Sequence, residues 1–294
     1  MGAPDLGRYL WPDVAAGRQP QAGNLGVNWD LIGTDASVWH AADPGAMTWI
    51  GLRLGTTGSV GRTPGITQRG IGYGYPDVAN AGESFGGSQI FPSNTAWSIL
   101  VVAAPTSSAA VKCVVSQRTG ISPYEQIDLV FNGNASLAST PGALGLFLRN
   151  SSAVSYGFHA VSQVDGAVHT WFARCAVSIG NALWRDGVLQ TLASNLVPGG
   201  GTFSQTWQKT RVGNLGDSAG TGYACTDPIL MVVAWPRVLP LWLEAYLSST
   251  PSAVFTTSPI PISSAAAALY PTLTAAGMTG ITSTGGRPQV TYTF

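Results

Sequence analysis

The chain of 294 residues carries 14 basic and 14 acidic residues, so its formal net charge is zero. A neutral chain lacks the positive footprint that nucleic acids and anionic membranes require, and we expect neither partner. Hydrophobic residues make up 45% of the sequence and charged residues only 10%, which supplies a packed core but little repulsion between copies. We therefore expect a folded protein that forms homo-oligomers.

The N-terminus and the apolar runs indicate where the chain folds. Residues 1–11 lack the apolar segment of a secretory signal, so we expect folding in a cytoplasm. The longest apolar run, residues 229–235, is far shorter than the roughly 20 residues that cross a bilayer. The cysteines are odd in number and lie within or beside apolar segments, which is typical of buried thiols: Cys113, Cys175 and Cys225.

Composition divides the chain into three parts. Residues 1–45 lack strong periodicity and are predicted to form an N-terminal extension. Residues 46–256 are predicted to form the folded domain, in which glycine runs such as 70–74 suit short strands joined by tight turns. Residues 257–294 are predicted to form a C-terminal extension that closes on a strand-like segment at 289–294.

Segments rich in β-branched and aromatic residues recur along the predicted domain. In one of them the odd positions from His169 to Val177 form a mostly apolar face, whereas Thr170 and Arg174 lie on the other face. Short strands at this density predict an all-β sandwich or barrel. The predicted strands span residues 97–104, 111–116, 126–131, 144–149, 168–177, 211–213 and 229–235.

One helix is predicted near the end of the domain. Leu239, Trp242, Leu243 and Tyr246 recur at helical spacing, which predicts an apolar stripe packed on the sandwich. Glu244 lies off this stripe and is expected to face solvent.

The order of motifs between residues 168 and 247 carries a family resemblance. A strand that begins with His169 is followed by Trp184-Arg185-Asp186-Gly187, by Val-Gly-Asn at 212–214, and by a strand, corner and helix over 229–247. This order resembles the laminin-G-like branch of the concanavalin A-like lectin/glucanase superfamily. The resemblance implies a mainly β, concanavalin A-like jelly-roll β-sandwich with one short C-terminal helix and extended N- and C-terminal arms.

A narrower resemblance concerns the end of the chain. The order of the helix, residues 251–255 and a tail containing 287–291 is similar to virion proteins of tailed bacteriophages and prophages. It implies a non-enzymatic virion structural protein, on the capsid or the tail, that is assembled in the bacterial host cytoplasm with other virion proteins and can bind glycans. The alternatives are a stand-alone carbohydrate-binding module and a glycan-cleaving enzyme of the glucanase type.

The residues themselves predict a hairpin within this region. Asp186-Gly187 between two apolar pairs is the two-residue signal of a type I′ turn, because glycine adopts a positive φ at no steric cost. We therefore assign Asp186 to the turn and not to a metal site.

The carboxylates argue against catalysis. Glycoside hydrolysis needs two carboxylates across one bond, and the nearest pair, Glu125 and Asp128, is offset by three residues and falls on opposite faces of a strand. Gly82–Gly86 matches the G-x-S-x-G nucleophile pattern, but the glycines and proline that follow disfavour the required helix. This segment is predicted to be a turn, and the protein is predicted not to be an enzyme.

No cofactor is predicted, although the resemblance allows calcium. Calcium sites in laminin-G-like domains take oxygen ligands from loops, and Asp217 and Asp227 lie in loop-like segments. The histidines lack zinc-binding spacing and are predicted to be packed or surface side chains: His40, His159 and His169.

Aromatic rings in polar loops are the candidates for glycan binding, since a flat ring stacks on the apolar face of a pyranose. Tyr73, Trp207 and Tyr223 meet this description. The alternative for each is packing at the rim of the sandwich or at an interface.

Overall fold

The structure of the protein is a computed structural model in which the chain divides into two compact units. The first contains two large sheets and a helix, and the second contains two small strand pairs. Most of the two predicted terminal extensions lies outside the described residues. The structure describes residues 26–41, 48–49, 54–55, 58–60, 63–67, 70–78, 81–86, 90–91, 96–119, 125–149, 155–176, 179–196, 209–215, 222–256, 281–284 and 287–290.

Sheet A is antiparallel and has eight strands in the described part of the chain. Its central strands are the longest in the domain and carry mostly buried residues. In spatial order the strands are β17 (Ser194–Leu196), β13 (Ser155–Ala160), β12 (Ser139–Arg149), β11 (Gln126–Gly133), β10 (Lys112–Arg118), β18 (Lys209–Val212), β8 (Gly82–Gly86) and β5 (Gly58–Val60).

Sheet B is also antiparallel. A short strand, β2 (Ser37–His40), pairs with its strand β19 (Ile229–Trp235). A separate two-stranded ribbon joins β3 (Thr48–Trp49) to β4 (Leu54–Gly55). The main path runs β16 (Val188–Leu189), β15 (Ala182–Arg185), β14 (His169–Ala176), β9 (Ala96–Ala103), β19 (Ile229–Trp235), β7 (Gly70–Gly74) and β6 (Thr63–Thr67).

An apolar core lies between the two sheets. Trp171 of sheet B and Phe131 of sheet A meet there, with ring centroids 4.9 Å apart. The predicted apolar face of β14 is confirmed, since Trp171, Ala173 and Cys175 all join this core. The three cysteines are free and buried, as predicted.

The predicted β-sandwich is confirmed, and every predicted strand is present with small shifts of its ends. All seven residues of β19 are buried, because one face of the strand joins the core between the sheets and the other face is also covered. On that other face Trp235 packs against Phe172 and bonds to the Ile32 carbonyl oxygen. A strand covered on both faces reads as a continuous apolar run and not as an alternation.

The described ranges contain three short helical segments: α1 (Trp29–Ile32), α2 (Leu241–Ser249) and a 3₁₀ turn (Pro251–Val254). The predicted helix corresponds to α2, which packs on β14, β15 and β16. None of the helices in the described ranges is long and apolar enough to span a membrane.

The sandwich begins before the predicted boundary at residue 46. Val38 of β2 pairs with Val233, and Trp39 is fully buried in the core. The indole Nε1 of Trp235 donates a hydrogen bond to the Ile32 carbonyl oxygen at 2.9 Å. A four-residue strand is too short to show a clear period, so the sequence did not separate it from the extension.

The segment Gly82–Gly86 is strand β8 and not the predicted turn. It pairs with β18 on one side and β5 on the other. Gly82 has φ +109°, and a Cβ there would lie 2.6 Å from the Val212 carbonyl oxygen. Glycine therefore allows the neighbouring strand to approach closely at this position. The next residue, Glu83, is buried and accepts a hydrogen bond from the Tyr75 hydroxyl at 3.1 Å.

The second unit contains two strand pairs. Strand β1 (Gly26–Val27) pairs with β20 (Phe255–Thr256), and β21 (Ile281–Thr284) pairs with β22 (Arg287–Val290). The predicted terminal strand at 289–294 therefore begins earlier and finds a partner within the chain, while residues 291–294 lie outside the described ranges.

Candidate functional site

The aromatic candidates from the sequence do not form a surface site in the described structure. Tyr73 is only 7% exposed, because its glycine run forms β7 beside Ile229 and its ring enters the core. Tyr223 does lie in a loop, but it is half-buried against an apolar cluster that includes Cys113 and Leu215. Trp207 lies outside the described residues.

Two exposed aromatic rings lie on helix α2 instead. Trp242 is 64% exposed and Tyr246 is 42% exposed, and they are one helical turn apart. We name this pair the aromatic ridge. Both rings were predicted to pack on the sandwich and Glu244 to face solvent; these predictions are wrong, because both rings are exposed and Glu244 is fully buried.

A buried ion pair explains the rotation of the helix. The Arg174 Nη1 atom donates to both carboxylate oxygens of Glu244, at 2.9 and 2.8 Å, and the Trp184 Nε1 atom donates to one of them at 3.1 Å. A buried charge is tolerated only when it is paired and hydrogen-bonded. The face that contains Glu244 must therefore turn inward with Leu243 and Leu247, and the ridge turns outward.

The end of α2 is attached to a hairpin between β15 and β16. Asp186 has φ +49° and Gly187 has φ +82°, which confirms the predicted type I′ turn. The Gly187 N–H donates to the Ser248 Oγ atom at 2.9 Å. The helix and the turn are thus in direct contact.

On the other side of the turn lies a group of four polar residues, which we name the hairpin cluster. The His169 Nδ1 atom lies 2.5 Å from Asp186 Oδ2, and its Nε2 atom lies 3.0 Å from Asp165 Oδ1. The Arg185 Nη2 atom donates to Asp165 Oδ2 at 2.7 Å. His169 was predicted to be a packed or surface side chain. Its ring partners could not be foreseen, because Asp165 comes from a loop and Asp186 from a turn.

The cluster favours the ionised form of Asp165. The hydrogen bond that the Ala167 N–H donates to Asp165 lowers the pKa of this carboxyl to about 2, with further hydrogen bonds from Arg185 and His169. Asp186 Oδ1 accepts the Thr170 N–H at 3.0 Å. The side chains of Asp165 and Asp186 remain 52% and 36% exposed, so both can still accept hydrogen bonds from a ligand.

The guanidinium of Arg185 is largely occupied. Its Nη1 atom donates to the Ser162 carbonyl oxygen at 3.1 Å, and its Nη2 atom contacts both Asp165 and His169. The side chain is only 18% exposed. Arg185 therefore orders the cluster and presents few donors to solvent.

Of the two calcium candidates, the described residues include only Asp227. The carboxylate of Asp227 is buried, with Lys112 Nζ at 2.5 Å and the Thr106 N–H at 2.8 Å, so its oxygens are used within the protein. Asp217 lies outside the described residues. Among the described residues, no group of three or more His, Cys, Asp or Glu side chains could hold a metal ion.

The carboxylates considered for catalysis have internal partners. Glu125 and Asp128 are both fully buried. Asp128 accepts hydrogen bonds from Ser116 Oγ at 2.5 Å, Arg118 Nη2 at 2.6 Å and Gln126 Nε2 at 3.0 Å. These bonds tie β10 to β11 across sheet A.

The other two histidines are packed side chains. His40 lies in β2, and burial lowers its pKa to about 3. Burial also lowers the pKa of His159 on β13. Both rings therefore stay neutral at physiological pH.

No model of a known protein family matches this sequence, and no curated protein matches it either. Solved structures do resemble the fold. A Trypanosoma rangeli sialidase in complex with sialic acid superimposes with a TM-score of 0.52 at 11% identity, over 75% of this chain and 33% of the sialidase.

Two binding domains are also similar in structure. The Ruminococcus gnavus IT-sialidase CBM40 bound to α2,3 sialyllactose has a TM-score of 0.46 and 15% identity, and the match covers 65% of this chain and 100% of the module. The botulinum neurotoxin serotype G binding domain has a TM-score of 0.47 and 10% identity, over 84% of this chain and 53% of that domain. At these identities the likeness concerns the fold, so the laminin-G-like branch and the phage origin stay predictions.

Proposed function

We propose that this chain is a glycan-binding β-sandwich protein, and that the aromatic ridge of Trp242 and Tyr246 is its sugar-binding surface. The observation that carries the proposal is the exposure of two rings one helical turn apart. Exposed apolar side chains that lie together in a patch mark interaction sites, and Leu241, Trp242 and Tyr246 are all exposed on this helix. A ring face stacks on the apolar face of a pyranose, and two rings can contact neighbouring sugars of a chain.

The rigidity of the helix supports this assignment. Arg174 and Trp184 hold Glu244 from below, and Ser248 joins the helix to the hairpin turn. The ridge is therefore ordered before a ligand arrives, which reduces the entropy lost on binding.

We further propose that the protein is a non-enzymatic structural component of a bacteriophage virion, where it assembles with its own copies and with other virion proteins. The sequence resemblance over the helix and tail and the lack of net charge support this role. Residues 28–41 belong to the sandwich, so attachment is assigned to residues before 28 and to 257–294. The internal hydrogen bonds of Asp128 and Glu83 support a binding role over glucanase activity.

A glycan array followed by titration calorimetry tests the ridge. Trp242→Ala and Tyr246→Ala should each weaken binding of the best glycan at least roughly tenfold, which corresponds to about 1.4 kcal/mol. Leu241→Ala is the matched control, because Leu241 is 59% exposed on the same helix but is not aromatic. Binding that is unchanged in both ridge variants, or absent throughout the array, contradicts the assignment.

Mass spectrometry of purified phage particles tests the structural role. A virion protein remains with the particles through density-gradient purification. A protein that binds glycans but is missing from particles is a stand-alone carbohydrate-binding module, and release of reducing ends from the bound glycan identifies an enzyme.

A further inference from the structure

We propose that the aromatic ridge binds two consecutive inner units of an extended, equatorially linked pyranose chain, and not the terminal sugar of a glycan. The inference rests on the proposed function and names the ligand class of that same site. It is carried by the spacing of the two rings, by their exposure and by the residues beside them.

The two rings are spaced for two sugars of one chain. Trp242 and Tyr246 are four residues apart in α2, and a rise of 1.5 Å per residue puts their Cα atoms about 6 Å apart along the helix axis. Residues at this spacing lie on the same side of a helix. A sugar in an extended chain advances by a comparable distance, so consecutive sugars can each face one ring.

Equatorially linked pyranoses suit a row of rings on a straight helix. Their linkages leave mainly C–H groups on the two faces of each sugar, and aromatic rings stack on such apolar faces. Their chain also runs straight, whereas axial linkages bend a chain away from the axis of α2. Both ring contacts are therefore available to the same chain.

The rings are too open to enclose a terminal sugar. The side chains of Trp242 and Tyr246 are 64% and 42% exposed. A pocket for a single small ligand is concave and buries most of the surface of that ligand. The surface of a helix is convex, so a sugar on the ridge contacts α2 through one face, and its linked neighbours can continue along the axis in both directions.

The outward face of α2 contributes stacking and no ion pair. The only charged residue of this helix is Glu244, which is buried and paired with Arg174. The residues beside the two rings on the outward face are Leu241, Ala245 and Ser249. On this helix affinity must therefore be gained ring by ring, so the number of stacked sugars decides how tightly a chain binds.

Calorimetry with two ladders of oligosaccharides tests the inference: glucose, cellobiose, cellotriose and cellohexaose, and the corresponding chito-oligosaccharides. In at least one ladder the affinity should rise about two- to tenfold from the monosaccharide to the disaccharide, which is the contribution of one further ring contact. From the trisaccharide to the hexasaccharide it should rise only about two- to threefold, because a longer chain merely offers more overlapping pairs of sugars.

Variants assign the step between monosaccharide and disaccharide to the second ring. Tyr246→Ala should abolish the step and leave the affinity for the monosaccharide within about twofold, whereas Tyr246→Phe, which keeps a ring, should retain the step. Leu196→Ala is the matched control, because Leu196 is 54% exposed and apolar but lies on β17 and not on α2. Thermal melts check that each variant folds.

The outcomes separate this inference from the proposed function. An affinity that does not rise from monosaccharide to disaccharide, but is lost in Trp242→Ala, overturns the ligand class and leaves the ridge as the site. The same conclusion follows if neither ladder binds while another glycan of the array binds through Trp242. Binding that neither Trp242→Ala nor Tyr246→Ala alters, or an absence of binding to any glycan, overturns the site itself.

Discussion

Substitution of Gly187 by alanine probes how the helix and the hairpin are joined. Gly187 has φ +82°, and an added Cβ would lie 2.7 Å from Ser249 Cβ, a distance that real Cβ atoms essentially never show. A left-handed conformation costs an L-residue roughly 1–2 kcal/mol, and overpacking adds typically about 1–3 kcal/mol. The expected loss in the free energy of unfolding is therefore about 2–5 kcal/mol.

Gly180→Ala is the matched control. Gly180 has φ +84°, but nothing lies within 4 Å of its added Cβ, so this variant carries the conformational cost alone. We expect it to lose about 1–2 kcal/mol. In a domain of this size each kcal/mol lowers Tm by roughly 2–4 °C, so Gly187→Ala should melt about 2–12 °C below Gly180→Ala.

Thermal unfolding followed by circular dichroism measures both variants under one condition. If Gly187→Ala melts at the same temperature as Gly180→Ala, the contact between the turn and Ser249 does not constrain the fold, and the explanation of how α2 is held fails. A glycan titration of the same variants should show weaker binding for Gly187→Ala, because Ser249 lies on the helix that carries the ridge.

Three further predictions concern the charges and thiols. Glu244→Gln should reduce the free energy of unfolding by about 3–5 kcal/mol in urea titration, because Arg174 is left buried without a counter-ion; a change below 1 kcal/mol would show that the pair is not required. The interactions that lower the pKa of Asp165 stabilise the folded state fully above its ordinary value of 3.8, and this stabilisation is lost as pH falls through about 2. The stability difference between wild type and Asp165→Asn should therefore shrink over that interval and not with rising pH. Burial raises the pKa of Cys175 and Cys225 to about 12, so both thiols should resist a thiol reagent at about pH 8 until the protein is denatured; rapid native labelling of either would contradict their burial.

The strands and the hairpin could be predicted because their signals are local. The alternation around Trp171, the apolar run of β19 and the Asp186-Gly187 pair each specify a conformation within a few residues. Their places in the sandwich follow from burial of one face or both faces.

The candidate site could not be predicted because it depends on contacts between distant segments. Helical spacing alone put Trp242 and Tyr246 on the buried stripe, and the pairing of Glu244 with Arg174 rotated the helix away from that arrangement. The sequence did contain part of the evidence for this ion pair, since Arg174 was predicted to lie on the face of its strand opposite the core. Tyr73 was predicted to lie in an exposed loop. This prediction is wrong because its glycine run forms a strand with a neighbour on each side in sheet B.

The short strand β2 has a consequence for the order in which the protein folds. Val38 emerges early in synthesis, yet its hydrogen-bonding partner Val233 belongs to a strand that is made only near the end of the domain. Sheet B therefore cannot close while the ribosome is still translating its middle, and the buried indole of Trp39 must wait without its final neighbours. Contacts of such long sequence separation slow folding and expose apolar surface during the wait. Efficient production of this protein should therefore depend on low temperature or on a chaperone that protects residues 37–40 until the last strand arrives.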